Sequence, residues 1–162
     1  MGNVPPLPTP LDPFLAATYG PEDAAASRRS RLLPPLSLVL DTRPTPASLH
    51  TSTKTSRRTH YDAARARAGL APMGGHADVV LWDGEGAVTE TSVRNVAVWR
   101  EGGWVTPEEG CGCLEGVARR WLVERGVVRA GTVRREDVRV GEWMLVFNAV
   151  EGCRLGVVQA GL

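Results

Sequence analysis

Lys54 is the only lysine in the chain, and every other fixed positive side chain is an arginine. A lysine ahead of a helix is ordinarily a solvated surface charge. One whose ammonium is destabilised by burial and neighbouring cations becomes a nucleophile that can form a Schiff base, and Arg57 and Arg58 stand close by to supply those cations. Glu90 ends a β-forming run and could be an exposed strand carboxylate or an acid facing a cationic ligand atom. The glycine-rich loop Glu109 to Gly116 opens a helix. Free N–H groups and the positive end of the helix dipole make such a junction a seat for phosphate.

The spacing of these residues is more specific than any one of them. Glu90-x-Ser92-x-x-Asn95 is followed by a hairpin ending at Thr106, a spacer, and Leu114-x-Gly116-Val117-x-Arg119. This order resembles the signature of the class IV aminotransferase family, fold-type IV enzymes that use pyridoxal 5'-phosphate. Lys54 lies a little upstream of a helix and some tens of residues before the glutamate, as the family's cofactor-bearing lysine does. KTSRRTHYDAARARAG is similar to the fungal aminodeoxychorismate lyase branch in particular. One departure is Ala97, where an aromatic residue is usual.

The resemblance implies pyridoxal 5'-phosphate as cofactor and assigns roles. Lys54 carries the cofactor and shuttles protons. Glu90 faces the ring nitrogen, and Leu114 packs on the ring face. The backbone N–H groups of Val117 and Ala118, behind Gly116, hold the phosphate. Asn95 supports the site, while Asn148 and Ala149 neighbour the phosphate. Thr59 suits the cofactor's phenolic oxygen by spacing and Tyr61 by residue type, so both stay open. The implied reaction is a lyase step on 4-amino-4-deoxychorismate giving 4-aminobenzoate and pyruvate. Branched-chain and D-amino-acid transaminases share the same motifs.

The elements that must position these residues follow from pattern. Tyr61 to Ala68 is rich in alanine and arginine and closed by Gly69, which predicts a helix over 57–69. The loop at Gly116 predicts a second helix over 116–125. Strands are expected at Leu36–Leu40, 78–82, 87–92 around an Asp-Gly turn, 95–99 and 103–106 around Glu101-Gly102-Gly103, 127–133, 142–150 and 153–158. A short helical turn is expected at Val133 to Asp137, and a short helix over Leu11 to Tyr19. The expected fold is α+β, a mixed barrel-like sheet with flanking helices, resembling the C-terminal domain of D-amino-acid aminotransferase-like enzymes.

Residues 1–49 hold most of the prolines and read as a linker or a remnant of a first domain, with 50–162 as the cofactor-binding domain. The family's first domain supplies substrate contacts and one wall of the site, and family members are usually dimers. The expected partners are a small amino substrate and a second copy of the chain. A truncated, non-catalytic remnant or interaction domain is the competing reading. Net charge is +1, which points to neither nucleic acid nor a membrane surface. No stretch is long and apolar enough to span a bilayer, and prolines break up the N-terminus, so a cytoplasmic protein is expected. Cys111, Cys113 and Cys153 cannot all pair within one chain and read as reduced thiols. No second Cys or His pair accompanies Cys111-x-Cys113, so no metal is expected.

Overall fold

The computed structural model describes residues 34–46 and 58–161. Lys54, Arg57 and the Leu11–Tyr19 segment lie outside the described residues. Eight strands form one sheet: β1 (Leu36–Leu40), β2 (Ala77–Trp82), β3 (Val88–Thr91), β4 (Asn95–Arg100), β5 (Gly103–Pro107), β6 (Val128–Gly131), β7 (Trp143–Asn148) and β8 (Gly152–Gln159). Their spatial order is β3-β2-β1-β8-β7-β4-β5-β6. Parallel pairs join β1 to β2 and to β8, and β5 to β6; the other four pairings are antiparallel. The two edges curl toward each other. Ala87, just before β3, bridges Arg134, just after β6. Val88 N–H donates to Val133 O at 2.8 Å and Arg135 N–H to Gly86 O at 2.9 Å. The expected α+β fold with a mixed, barrel-like sheet is what the chain adopts.

Period-2 alternation explains how the sheet is covered. Leu36, Leu38, Val80, Val96, Val98, Met144 and Val146 point into the curl and form its apolar interior. Their neighbours point outward in two groups. Val39, Val79 and Leu81 meet Tyr61, Ala64 and Ala68 of and beside helix α1 (Thr59–Arg67). Ala97, Leu145 and Phe147 meet Leu122 of helix α2 (Val117–Glu124). Ala97 is wholly buried in that second group, together with Trp104. Both helices stop the same way. Gly69 and Gly126 adopt positive φ, and the next residue's N–H reaches back to Arg65 O and Leu122 O respectively. The expected turn near Val133 is a single 3-10 turn at Arg135–Asp137.

Candidate functional site

Glu90 sits near the end of β3, 5% exposed, and is held by two donors. The Tyr61 hydroxyl, from α1, donates to its Oε1 at 2.6 Å. The backbone N–H of Leu114, from the loop before α2, donates to its Oε2 at 3.2 Å. Burial pushes the carboxyl up to about 7 against those two bonds, which pull the other way; negative charge at Cys111 raises it further and Arg58 lowers it. Burial and the Glu90 charge raise the Tyr61 phenol above its usual range, so it stays protonated and donates. Arg58 stacks 4.9 Å from the centre of the Tyr61 ring and donates to Ser92 O at 2.6 Å, which ties α1 to the β3–β4 turn. Thr59, by contrast, is exposed at the start of α1.

The same Leu114 peptide is gripped at its other end. Asn95 Nδ2, at the start of β4, donates to Leu114 O at 2.7 Å. Glu90 and Asn95 thus fix the N–H and the C=O of one loop residue. Gly116 follows as the N-cap of α2, in extended conformation and with no side-chain cap. A Cβ on Gly116 would lie 2.6 Å from Asn95 Oδ1, so only glycine lets the helix start this close to β4. The first N–H groups of α2, those of Val117 and Ala118 among them, therefore emerge beside Leu114 with no side chain capping them. Arg119, 1% exposed, anchors the junction by donating to Pro107 O at 2.7 Å.

The turn between β7 and β8 carries Asn148 and Ala149. Asn148 Oδ1 accepts from the N–H groups of Val150 at 3.0 Å and Glu151 at 2.7 Å, and its Nδ2 donates to Val93 O at 3.3 Å. Its side chain is engaged in shaping this turn, and Ala149 is exposed at the tip. Glu151 accepts from Arg94 at 2.6 and 2.9 Å, which holds its carboxyl below the usual range. Arg94 also donates to the fully buried Asp78 at 2.6 Å. Asp78 in turn takes bonds from Arg65 of α1 and from Thr91 and Ser92. This knot links α1, β2, the β3–β4 turn and the β7–β8 turn.

The structure thus gathers Glu90, Asn95, Leu114 and Gly116 into one contact set, with Val117 and Ala118 following Gly116 on α2. Asn148 reaches only Val93 O of the neighbouring β3–β4 turn, and Ala149 is exposed outside this set. Sequence reasoning missed the Tyr61–Glu90 bond and the whole Asp78 knot. The one available signal for the knot was a buried-strand pattern opening on an aspartate at Asp78. The donor set fits a pyridoxal phosphate: a buried acid for a ring nitrogen and uncapped helix N–H groups for a phosphate. Among the described residues no group of three or more His, Cys, Asp or Glu side chains could hold a metal ion, and no helix is long and apolar enough to cross a membrane.

Known proteins resemble this chain in sequence and fold. The description "Amino-transferase class IV" matches residues 9–156. Aminodeoxychorismate lyase of Saccharomyces cerevisiae is 28% identical over 94% of this chain and 47% of its own length. A Schizosaccharomyces pombe protein named as a candidate aminodeoxychorismate lyase is 33% identical over 76% of this chain and 55% of its own. The chain therefore spans about half the length of the curated relatives it matches. Among solved structures, the branched-chain amino acid aminotransferase of Thermobaculum terrenum, a PLP-form holoenzyme, superposes with a TM-score of 0.66 at 18% identity. That superposition covers 80% of this chain and 45% of the other.

Proposed function

This chain belongs to the amino-transferase class IV family, a pyridoxal-phosphate-dependent family, and from that premise we propose that it is the cofactor-binding part of a lyase converting 4-amino-4-deoxychorismate to 4-aminobenzoate and pyruvate. The observation that carries the reading is Glu90, a buried carboxyl pushed up to about 7 beside the doubly gripped Leu114 peptide and an uncapped helix start. When bound, the cofactor supplies an electron sink for carbanion chemistry. Glu90 then pairs with the ring nitrogen, and that positive partner draws its proton affinity back down. Leu114 covers a ring face, held by Asn95. Val117 and Ala118 bind phosphate through their N–H groups, with Asn148 and Ala149 beside them. Lys54 holds the cofactor and moves the substrate proton as base and then acid. Tyr61 keeps Glu90 oriented by donating to Oε1. The cofactor-binding unit consists of residues 50–162 together with β1, and a second copy completes the site.

The lyase is favoured over a transaminase because the S. cerevisiae relative carries that name across 94% of this chain. A fold retained without catalysis is the remaining alternative. An assay separates the three. The chain is supplied with pyridoxal phosphate and 4-amino-4-deoxychorismate, and 4-aminobenzoate and pyruvate are measured. Equal amounts of both, lost in Lys54→Ala, are expected. Amino transfer to a 2-oxo acid without pyruvate release would favour the transaminase. Neither activity would favour the remnant.

A further inference from the structure

Asn95 can grip Leu114 only if its own backbone is held, and the residue before it is Arg94. Arg94 is 8% exposed and fixed at both its backbone and its side chain. Thr91 closes the backbone: its N–H donates to Arg94 O at 2.8 Å, and Arg94 N–H donates to Thr91 Oγ1 at 2.9 Å. The side chain forks in two directions. Nη1 donates to Asp78 at 2.6 Å. Nε and Nη2 donate side by side to the two Glu151 oxygens at 2.6 and 2.9 Å. The planar fork of a guanidinium is what lets one side chain hold two carboxylates in this way.

The two anchors of Arg94 differ in access. Asp78 is wholly buried, whereas the Glu151 side chain, on the β7–β8 turn, is 36% exposed. The rest of the β3–β4 turn is tied to other elements: Ser92 O accepts from Arg58 at 2.6 Å and Val93 O from Asn148 at 3.3 Å. At the end of the turn, Asn95 Nδ2 meets Leu114 O at 2.7 Å, and Gly116 N–H donates to that same oxygen at 2.9 Å. An unbroken line of hydrogen bonds and one peptide link therefore runs from an exposed carboxylate to the start of α2, through Glu151, Arg94, Asn95, Leu114 and Gly116.

We propose that Arg94 is a positioning residue for the cofactor site, acting through Asn95 on the Leu114 peptide, with Glu151 as its outer anchor. Its consequence for chemistry rests on the cofactor reading above, in which Leu114 covers the ring and the first N–H groups of α2 hold the phosphate. Asp78 alone holds the guanidinium by one nitrogen and leaves it free to turn about that contact. Glu151 takes the other two nitrogens and stops the turn. The direction of the Asn95 amide, and with it the place of Leu114 O, is thus set partly from the protein surface. A lysine at position 94 would keep a charge beside Asp78 but could not fork to Glu151. Coupling carried along such a line of contacts shows itself as non-additive effects of changes made at its two ends.

The test is residue-resolved amide hydrogen exchange, read by NMR on the full chain without cofactor. Two amides report an intact sheet: Asp41 N–H, bonded to Val80 O at 2.9 Å, and Val88 N–H, bonded to Val133 O at 2.8 Å. In Glu151→Ala the Leu114 and Gly116 amides are expected to exchange about tenfold faster while the two reference amides keep their wild-type rates. Arg94→Lys is expected to do the same. Asn95→Ala is expected to give a similar rise, and adding Glu151→Ala to it no further rise. Unchanged exchange at Leu114 and Gly116 in Glu151→Ala, or an equal rise at the reference amides, would overturn the proposal; the second result would make the Arg94–Glu151 pair a general stabiliser. Additive rises in the double variant would overturn the route through Asn95. The readout needs no cofactor, so it fails or succeeds separately from the cofactor reading, which fails if the wild-type chain gives no absorbance band with pyridoxal phosphate.

Discussion

Asp78 and Glu90 are both buried carboxylates, separated by one hairpin, and the chain treats them in opposite ways. Asp78 is wholly buried and takes bonds from two guanidinium groups, two hydroxyls and two backbone N–H groups. Glu90 takes one hydroxyl and one N–H and no guanidinium. A carboxylate with its acceptor capacity filled is a fastener, because nothing further can bind without breaking a bond already made. One with two donors and a proton affinity raised to about 7 has capacity to spare for a cationic partner. The contrast separates the part of the molecule that holds the site from the part that can act.

Removing the Asp78 fastener should cost the most. Asp78→Ala leaves Arg65 and Arg94 charged, buried and short of a partner, and is expected to cost about 3–5 kcal/mol in denaturant unfolding. A loss near that of an exposed ion pair would mean the knot is not what joins α1 to the β-turns.

The next effect lies in pH. Glu90 is raised from 4.5 to about 7, so between these values the folded chain binds a proton that the unfolded chain has released. Stability therefore falls as pH rises through that window, by on the order of 3 kcal/mol at its top. In Glu90→Gln the Tyr61 hydroxyl can accept from the new amide, and the slope disappears. Unfolding curves at several pH values check this, and a slope equal in both proteins would put Glu90 with the fasteners.

The smallest effect probes the grip on Leu114. Gly116→Ala drives a Cβ against Asn95 Oδ1 and is expected to cost about 1–3 kcal/mol. Made in an Asn95→Ala background the same change should cost less, since the clash is gone. A double-mutant cycle with no coupling would mean that β4 and α2 do not constrain each other here.

How much of this was legible in the sequence depends on the distance over which each feature is encoded. NVAVW alternates Val96 and Val98 against Ala97 and Trp99, and the sheet sorts them to opposite faces as that alternation requires. Leu36–Leu40 was readable as a strand because its apolar run is bounded by proline and aspartate. Glu90, Asn95, Leu114 and Gly116 were readable as a group only because their spacing resembles a known signature; propensity alone gives no reason for a strand acid to meet a loop peptide 24 residues on. Helix pattern does not separate Tyr61 from Thr59, because it does not say which side chain turns toward a strand 29 residues away. Arg94 and Glu151, 57 residues apart, carry no local signal, and their pairing follows from the β7–β8 turn folding back over the β3–β4 turn.

On the proposed function, the Glu90 side of the molecule accepts pyridoxal phosphate and Lys54 holds it. The direct test is to mix the purified chain with pyridoxal phosphate, record the visible absorbance, reduce with borohydride, and map the adduct by mass spectrometry. A new absorbance band and a single adduct on Lys54 are predicted. No band, or labelling at the N-terminal amine alone, would contradict the claim and leave a class IV fold without its chemistry.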